Sequence, residues 1–222
     1  MRITTCLLIL LLALTGCTAQ IPATVQKNNE PPEISLKQSP DLKRDAPAEI
    51  TLTPVELFKG DAAKFKPFLG SMSGAFKLRY EGNRPTANLD IDIWKDGEKV
   101  SSACSIIDLF FQPENSKSKE IEIIVSIITV SIKGQDDFNE IKVSTIRDVG
   151  AGTVTCSTEW DKELSTKGLI NMNRPYTFIA EDSVPVWGMQ ATSTHQIYTA
   201  DFSPESLSKL EQAIILTLRF AD

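Results

Sequence analysis

The sequence predicts an all-β fold: an antiparallel β-sandwich of immunoglobulin-like size, with one short helix near the C-terminus. Three observations carry this. From about Thr51 onward, apolar and polar residues alternate with a period of two, as in strands that bury one face. Asp96-Gly97 lies between two such runs. Asp-Gly is the strongest short hairpin signal, because a type I′ turn needs positive φ at both central positions. Roughly eight to ten short runs are separated by Gly, Pro, Asn and Asp turns, the spacing of a sandwich.

The N-terminus has a different pattern. Arg2 is followed by an almost unbroken apolar run from Leu7 to Leu14. It is shorter than the ~20 residues that cross a hydrocarbon core. A charged flank, a brief apolar run and small residues are the marks of a secretory signal peptide. Leu14-Thr15-Gly16-Cys17 resembles the bacterial lipobox, in which an apolar residue and two small ones precede the cysteine. The resemblance covers the leader and Cys17. It implies removal of residues 1–16, Cys6 included, and diacylglyceryl on the Cys17 thiol. It also implies a domain on the extracytoplasmic side of a bacterial cell membrane or outer membrane. Two acyl chains are about what stable anchoring needs, at ~0.8 kcal/mol per buried methylene.

Residues 17–50 are expected to form the lipidated cysteine and a disordered tether. Pro22, Pro31, Pro32, Pro40 and Pro47 punctuate them, and the first aromatic residue of the chain is Phe58. Such a segment cannot bury enough apolar surface to offset its ordering entropy. A flexible coil of ~30 residues spans about 30 Å, and proline extends it.

Residues 51–222 are expected to form the sandwich domain. Leu89, Ile91 and Ile93 share one side of a strand at about 86–95, and Asp90, Asp92 and Trp94 the other. This strand should pair with one at 98–111 across the Asp96-Gly97 turn. In the run 120–133, Ile121, Ile123, Val125 and Ile127 keep odd parity, then Ile128, Val130 and Ile132 keep even parity. Two readings fit: a β-bulge near Ile127–Ile128, or a central strand covered on both faces. A turn at Gly134 to Asp137 precedes alternation at Ile141, Val143 and Thr145. Val154 and Cys156 continue it after a Gly150/Gly152 bend. Shorter strands are expected near 72–80, 176–181, 185–190 and 194–201. Ser203-Pro204-Glu205 reads as an N-cap, a first-turn proline and a first-turn acid, and Ala213 to Phe220 as a closing strand.

Composition narrows the partners. The net charge is −6, and −7 once Arg2 leaves with the leader. That disfavours nucleic acid, whose binding is dominated by Lys and Arg, and a polybasic grip on anionic lipid. Cys104 and Cys156 remain besides Cys17, and an even count outside the cytoplasm permits one bridge. Cys104 shares parity with Val100, Ile106 and Phe110, and Cys156 with Val154, so both are expected to face the core. A disulfide and two buried thiols acting as apolar fillers both fit.

Chemistry-bearing patterns are sparse. The single histidine, His195, rules out a multi-histidine metal site, and a surface histidine is the plain reading. No Gly-x-Ser-x-Gly nucleophile turn is present. Gly70 to Gly74 lacks the Gly-Lys-Ser/Thr ending of a phosphate loop and reads as a bend before a strand. Asp90 with Asp92, and Asp136 with Asp137, place carboxylates side by side. Such pairs hold calcium or divide acid and base roles, but a solvated strand face and a polar turn are the plainer reading. Trp94 shares the side of Asp90 and Asp92, so these three are the candidate ligand or partner contacts. Trp187 reads as core. No catalytic residue, metal or cofactor is assigned. The leading expectation is a non-enzymatic, membrane-anchored module that binds a protein, peptide or glycan. The alternative is a carboxylate-dependent hydrolase.

Overall fold

Period-two alternation becomes eleven strands in two antiparallel sheets. The computed structural model describes residues 47–112, 118–170, 172–198 and 200–221. The leader, Cys17 and the tether up to residue 46 lie outside the described residues. The strands are β1 (Glu49–Val55), β2 (Met72–Glu81), β3 (Ala87–Lys95), β4 (Glu98–Ile106), β5 (Glu120–Val130), β6 (Phe138–Arg147), β7 (Gly150–Glu159), β8 (Thr166–Ile170), β9 (Tyr176–Ile179), β10 (Ser183–Thr192) and β11 (Gln212–Phe220). One sheet has the order β7-β6-β5-β2-β1-β9 and the other β4-β3-β11-β10-β8. Leu52, Leu78 and Ile123 from the first sheet meet Leu89, Ile91 and Ile214 from the second in one buried core. This is the all-β sandwich that the alternation predicts.

The β3–β4 hairpin forms as expected. Asp96 has φ 50° and Gly97 φ 78°, the left-handed pair that a type I′ turn requires. Strand β4 ends at Ile106 rather than near 111. Its register against β3 shifts twice, between Ile91 and Asp92 and between Ile93 and Trp94.

The bulge expected near Ile127–Ile128 is absent. Strand β5 keeps an unbroken register with β6 from Glu122 to Val130. The phase change has another cause. After β1 the chain forms a 3-10 turn (Gly60–Phe65) and a four-residue helix α1 (Lys66–Leu69), which lies against β5. Ser126 donates its hydroxyl to Leu69 O at 2.7 Å. The even side of β5 is therefore covered here, which is the second of the two sequence readings.

The closing strand is interior. β11 sits between β3 and β10 and is buried from Gln212 to Leu218. Ile214 and Leu216 face the main core, while Ala213 and Ile215 join Ile170, Leu207 and Leu210 in a second cluster. A strand buried on both faces reads as a continuous apolar run, hence the weak alternation of its sequence. The cover is helix α2 (Pro204–Leu207), with Ser203 as N-cap accepting from Ser206 N at 3.3 Å. The segment expected as a strand at 194–201 has no strand at its described residues, 194–198 and 200–201. Glu211 instead ties down its start, accepting from Ser193 N at 2.8 Å.

Candidate functional site

The residues singled out in the sequence do not form one site. Asp90, Asp92 and Trp94 do share the outer side of β3. Asp92, however, is buried, with only 2% of its surface exposed, which corrects its reading as part of a solvated face. It accepts from Ser102 Oγ at 2.6 Å and pairs with Lys99 Nζ at 2.7 Å. Asp90 accepts from Ser105 Oγ at 2.6 Å and pairs with Arg219 Nε at 2.8 Å. Each acid is thus matched by a cation and a hydroxyl from a neighbouring strand. Neither lines a described cavity. Trp94 is half-buried and packs on the Leu207 and Leu210 cluster under α2. Parity gave its side of the strand correctly, but α2 and its flanking turns cover that side.

Cys104 on β4 and Cys156 on β7 are joined by a disulfide, with Cα atoms 6.3 Å apart. These strands are edges of different sheets, so the bond clamps one side of the sandwich. His195 lies exposed in the 193–198 segment.

A cavity of about 150 Å³ opens on the molecule elsewhere. Its lining includes Pro54 and Val55 of β1, Leu57 and Phe58 beyond it, Ser73 to Phe76 of β2, and Val186 and Trp187 of β10. A bulge shapes the β10 part of this wall. The β10–β11 register shifts between Pro185 and Trp187, so Val186 has no opposite residue. Two successive side chains, Val186 and Trp187, consequently both join the core and both line the cavity. Bulges often re-aim side chains in this way, and a proline inside a strand is at home at one.

On the facing sheet, Gly74 of β2 lets the indole come close. A Cβ there would stand 2.5 Å from Trp187 Nε1. Trp187 is 2% exposed, and its indole N–H has no hydrogen-bond partner among the described residues. Ser73, also in the wall, already donates to Gly70 O at 2.7 Å. Among the described residues, no Lys, Arg, Asp or Glu lines the cavity. Its described lining is therefore an uncharged, mostly apolar surface.

Trp187 was assigned to the core from its sequence, and its role in the cavity wall was not read there. The usable signals were Pro185 inside an apolar strand and Gly74 inside another. Both mark irregular backbone or close approach, but sequence alone does not bring β2 and β10 together.

A polar group also lies between the sheets. Lys167 of β8 sits 4.0 Å above the Trp160 ring and donates to Thr129 Oγ1. Thr129 donates to Asn139 Oδ1 at 2.7 Å. Burial lowers the Lys167 pKa from its ordinary value, because a low-dielectric setting disfavours the charged form.

Among the described residues no His, Cys, Asp and Glu side chains gather in a group of three or more that could hold a metal ion. No protein-family model, curated protein or solved structure matches the chain.

Proposed function

We propose that the protein is a lipid-anchored extracytoplasmic binding module, which takes an apolar group of its ligand into the cavity beside Trp187. The lipobox-like Leu14-Thr15-Gly16-Cys17 supports the anchor. The single observation supporting the binding role is an open cavity of about 150 Å³ lined almost wholly by apolar side chains of both sheets. Apolar cavities of about this volume accept benzene in engineered cores.

The two parts are tested separately. Cys17→Ala is expected to leave the chain unacylated and release it from the membrane fraction. Acylated, normally processed, membrane-bound Cys17→Ala protein would contradict the anchor. For the cavity, toluene at 100 times its dissociation constant should stabilise the fold by about 2.7 kcal/mol through mass action. That is a Tm rise of roughly 5–10 °C for a domain of this size. Leu57→Trp, which puts a larger side chain in the cavity wall, should abolish the rise. An equal rise in both proteins, or none in either, would contradict the binding reading.

A further inference from the structure

We propose that an exposed aromatic knob, formed by Phe65 and Phe68 with Lys64 and Lys66, docks the domain onto an anionic lipid surface. The proposal rests on the anchor reading above, which brings a bilayer within reach, and is independent of the cavity.

The knob belongs to the connection between β1 and β2. The 3-10 turn Gly60–Phe65 and helix α1 bury none of their side chains. Every residue from Ala63 to Phe68 is exposed, and Phe65 and Phe68 are 52% and 77% exposed. Apolar side chains exposed together mark interaction surfaces. The backbone that carries them is braced. Gly70 N donates to Lys66 O at 2.9 Å. Two buried hydroxyls then hold the end of the helix to the sheet: Ser126 of β5 donates to Leu69 O and Ser73 of β2 to Gly70 O, each at 2.7 Å. The rings therefore stand on a fixed support, which lowers the ordering cost of docking them.

Charge selects the partner. From Ala62 to Gly70 the chain has two lysines and no acid, in a protein of net charge −6. Lys64 Nζ lies 5.5 Å from the centre of the Phe65 ring, and Lys66 Nζ 5.8 Å from that of Phe58. Rings beside ammonium groups suit a bilayer interface. The rings enter the boundary between headgroups and acyl chains, and the lysines reach back to the phosphates. Ile107 and Phe111 are exposed too. Between them, however, lies Asp108, which pairs with Arg84, so that turn offers no surplus of positive charge. Two rings and two lysines make a weak contact. It orients a domain that Cys17 already holds, because tethering raises the effective concentration of the surface.

The test uses residues 17–222 carrying Cys17→Ser, so that no acyl chain takes part; residues 1–16 lie outside the described fold. Flotation is measured at low salt with vesicles of phosphatidylcholine alone and of phosphatidylcholine with roughly one-third phosphatidylglycerol, whose charge sets the surface potential. The protein should partition onto the anionic vesicles at least tenfold better than onto the neutral ones. Each lysine near such a surface is worth about a factor of five, so Lys64→Gln with Lys66→Gln should lose at least tenfold. Phe65→Ser with Phe68→Ser should also lose at least tenfold, with an unchanged Tm because both side chains are exposed. Ile107→Ser with Phe111→Ser should lose nothing. If the phenylalanine pair lowers Tm, the lysine pair and the two vesicle compositions decide alone. No flotation on anionic vesicles, equal flotation on both compositions, or full flotation without the two phenylalanines would each overturn the proposal. So would a dimer in solution that loss of the two phenylalanines dissolves, which would assign the knob to a second copy. Failure of the anchor reading shows separately, as Cys17→Ala protein that is still acylated in cells.

Discussion

Asp92 and Asp90 differ by two positions and share a strand face, yet their surroundings separate them. The Asp92 side chain is 3% exposed and its Lys99 partner 34%. The Asp90 side chain is 13% exposed and its Arg219 partner 49%. Hydrogen bonds to charged groups contribute about 1.5–3 kcal/mol when sequestered, while exposed pairs give about 1 kcal/mol or less. Asp92→Ala should therefore destabilise the protein by about 2–3 kcal/mol in urea unfolding, and Asp90→Ala by about 1 kcal/mol. Equal losses would mean that burial is not what distinguishes them. The period-two pattern placed both on the correct side of the strand. It could not show that β4 supplies Lys99 and Ser102 to Asp92, because a twice-bulged partner breaks the parity argument. Trp94 illustrates the same limit: its side was legible, and its cover by Leu207 and Leu210 was not.

Elements were most legible where a local rule sufficed. The Asp96-Gly97 turn and the Ser203-Pro204 helix start each need only neighbouring residues. Strand β11 and the covered half of β5 were less so, because their burial depends on α2 and α1, brought in from distant parts of the chain. The hairpin turn itself has a long-range role that its sequence conceals. Asp96 N and Gly97 N donate to Glu211 O and Leu210 O at 2.9 and 2.8 Å. A Cβ at Gly97 would meet Ser208 O at 2.4 Å. Gly134 also has positive φ, but a Cβ there meets nothing within 4 Å. Gly134→Ala should cost about 1 kcal/mol, the left-handed penalty for a residue with a Cβ. Gly97→Ala should cost at least twice that, because backbone must move as well. Thermal unfolding of the two variants measures the difference, and similar Tm values would show that the α2 turn does not press on the hairpin.

At the scale of the whole molecule, the two sheets share one core and are clamped at one side by Cys104–Cys156, 52 residues apart. Closing a loop of that length is worth about 4 kcal/mol in the chain-entropy model. Replacing both cysteines with alanine should lower stability by about 2–4 kcal/mol, read as a lower urea midpoint, and an unchanged midpoint would exclude a structural bond. The sandwich was legible as a class, since alternation and turn chemistry together specify packed antiparallel sheets. The cavity was not. It arises where a bulge at Val186, a glycine on β2 and the Leu57–Phe58 turn converge, and no one of these segments signals the others. The proposed function requires that a ligand enter this cavity. Its most direct test is photo-crosslinking in intact cells, with benzoyl-phenylalanine in place of Phe58 at the cavity or of Tyr198, which is 78% exposed elsewhere. An adduct of one defined mass is expected from position 58, absent from position 198 and lost in Leu57→Trp, which puts a larger side chain in the cavity wall. The same adducts from both positions, or none from position 58, would contradict it.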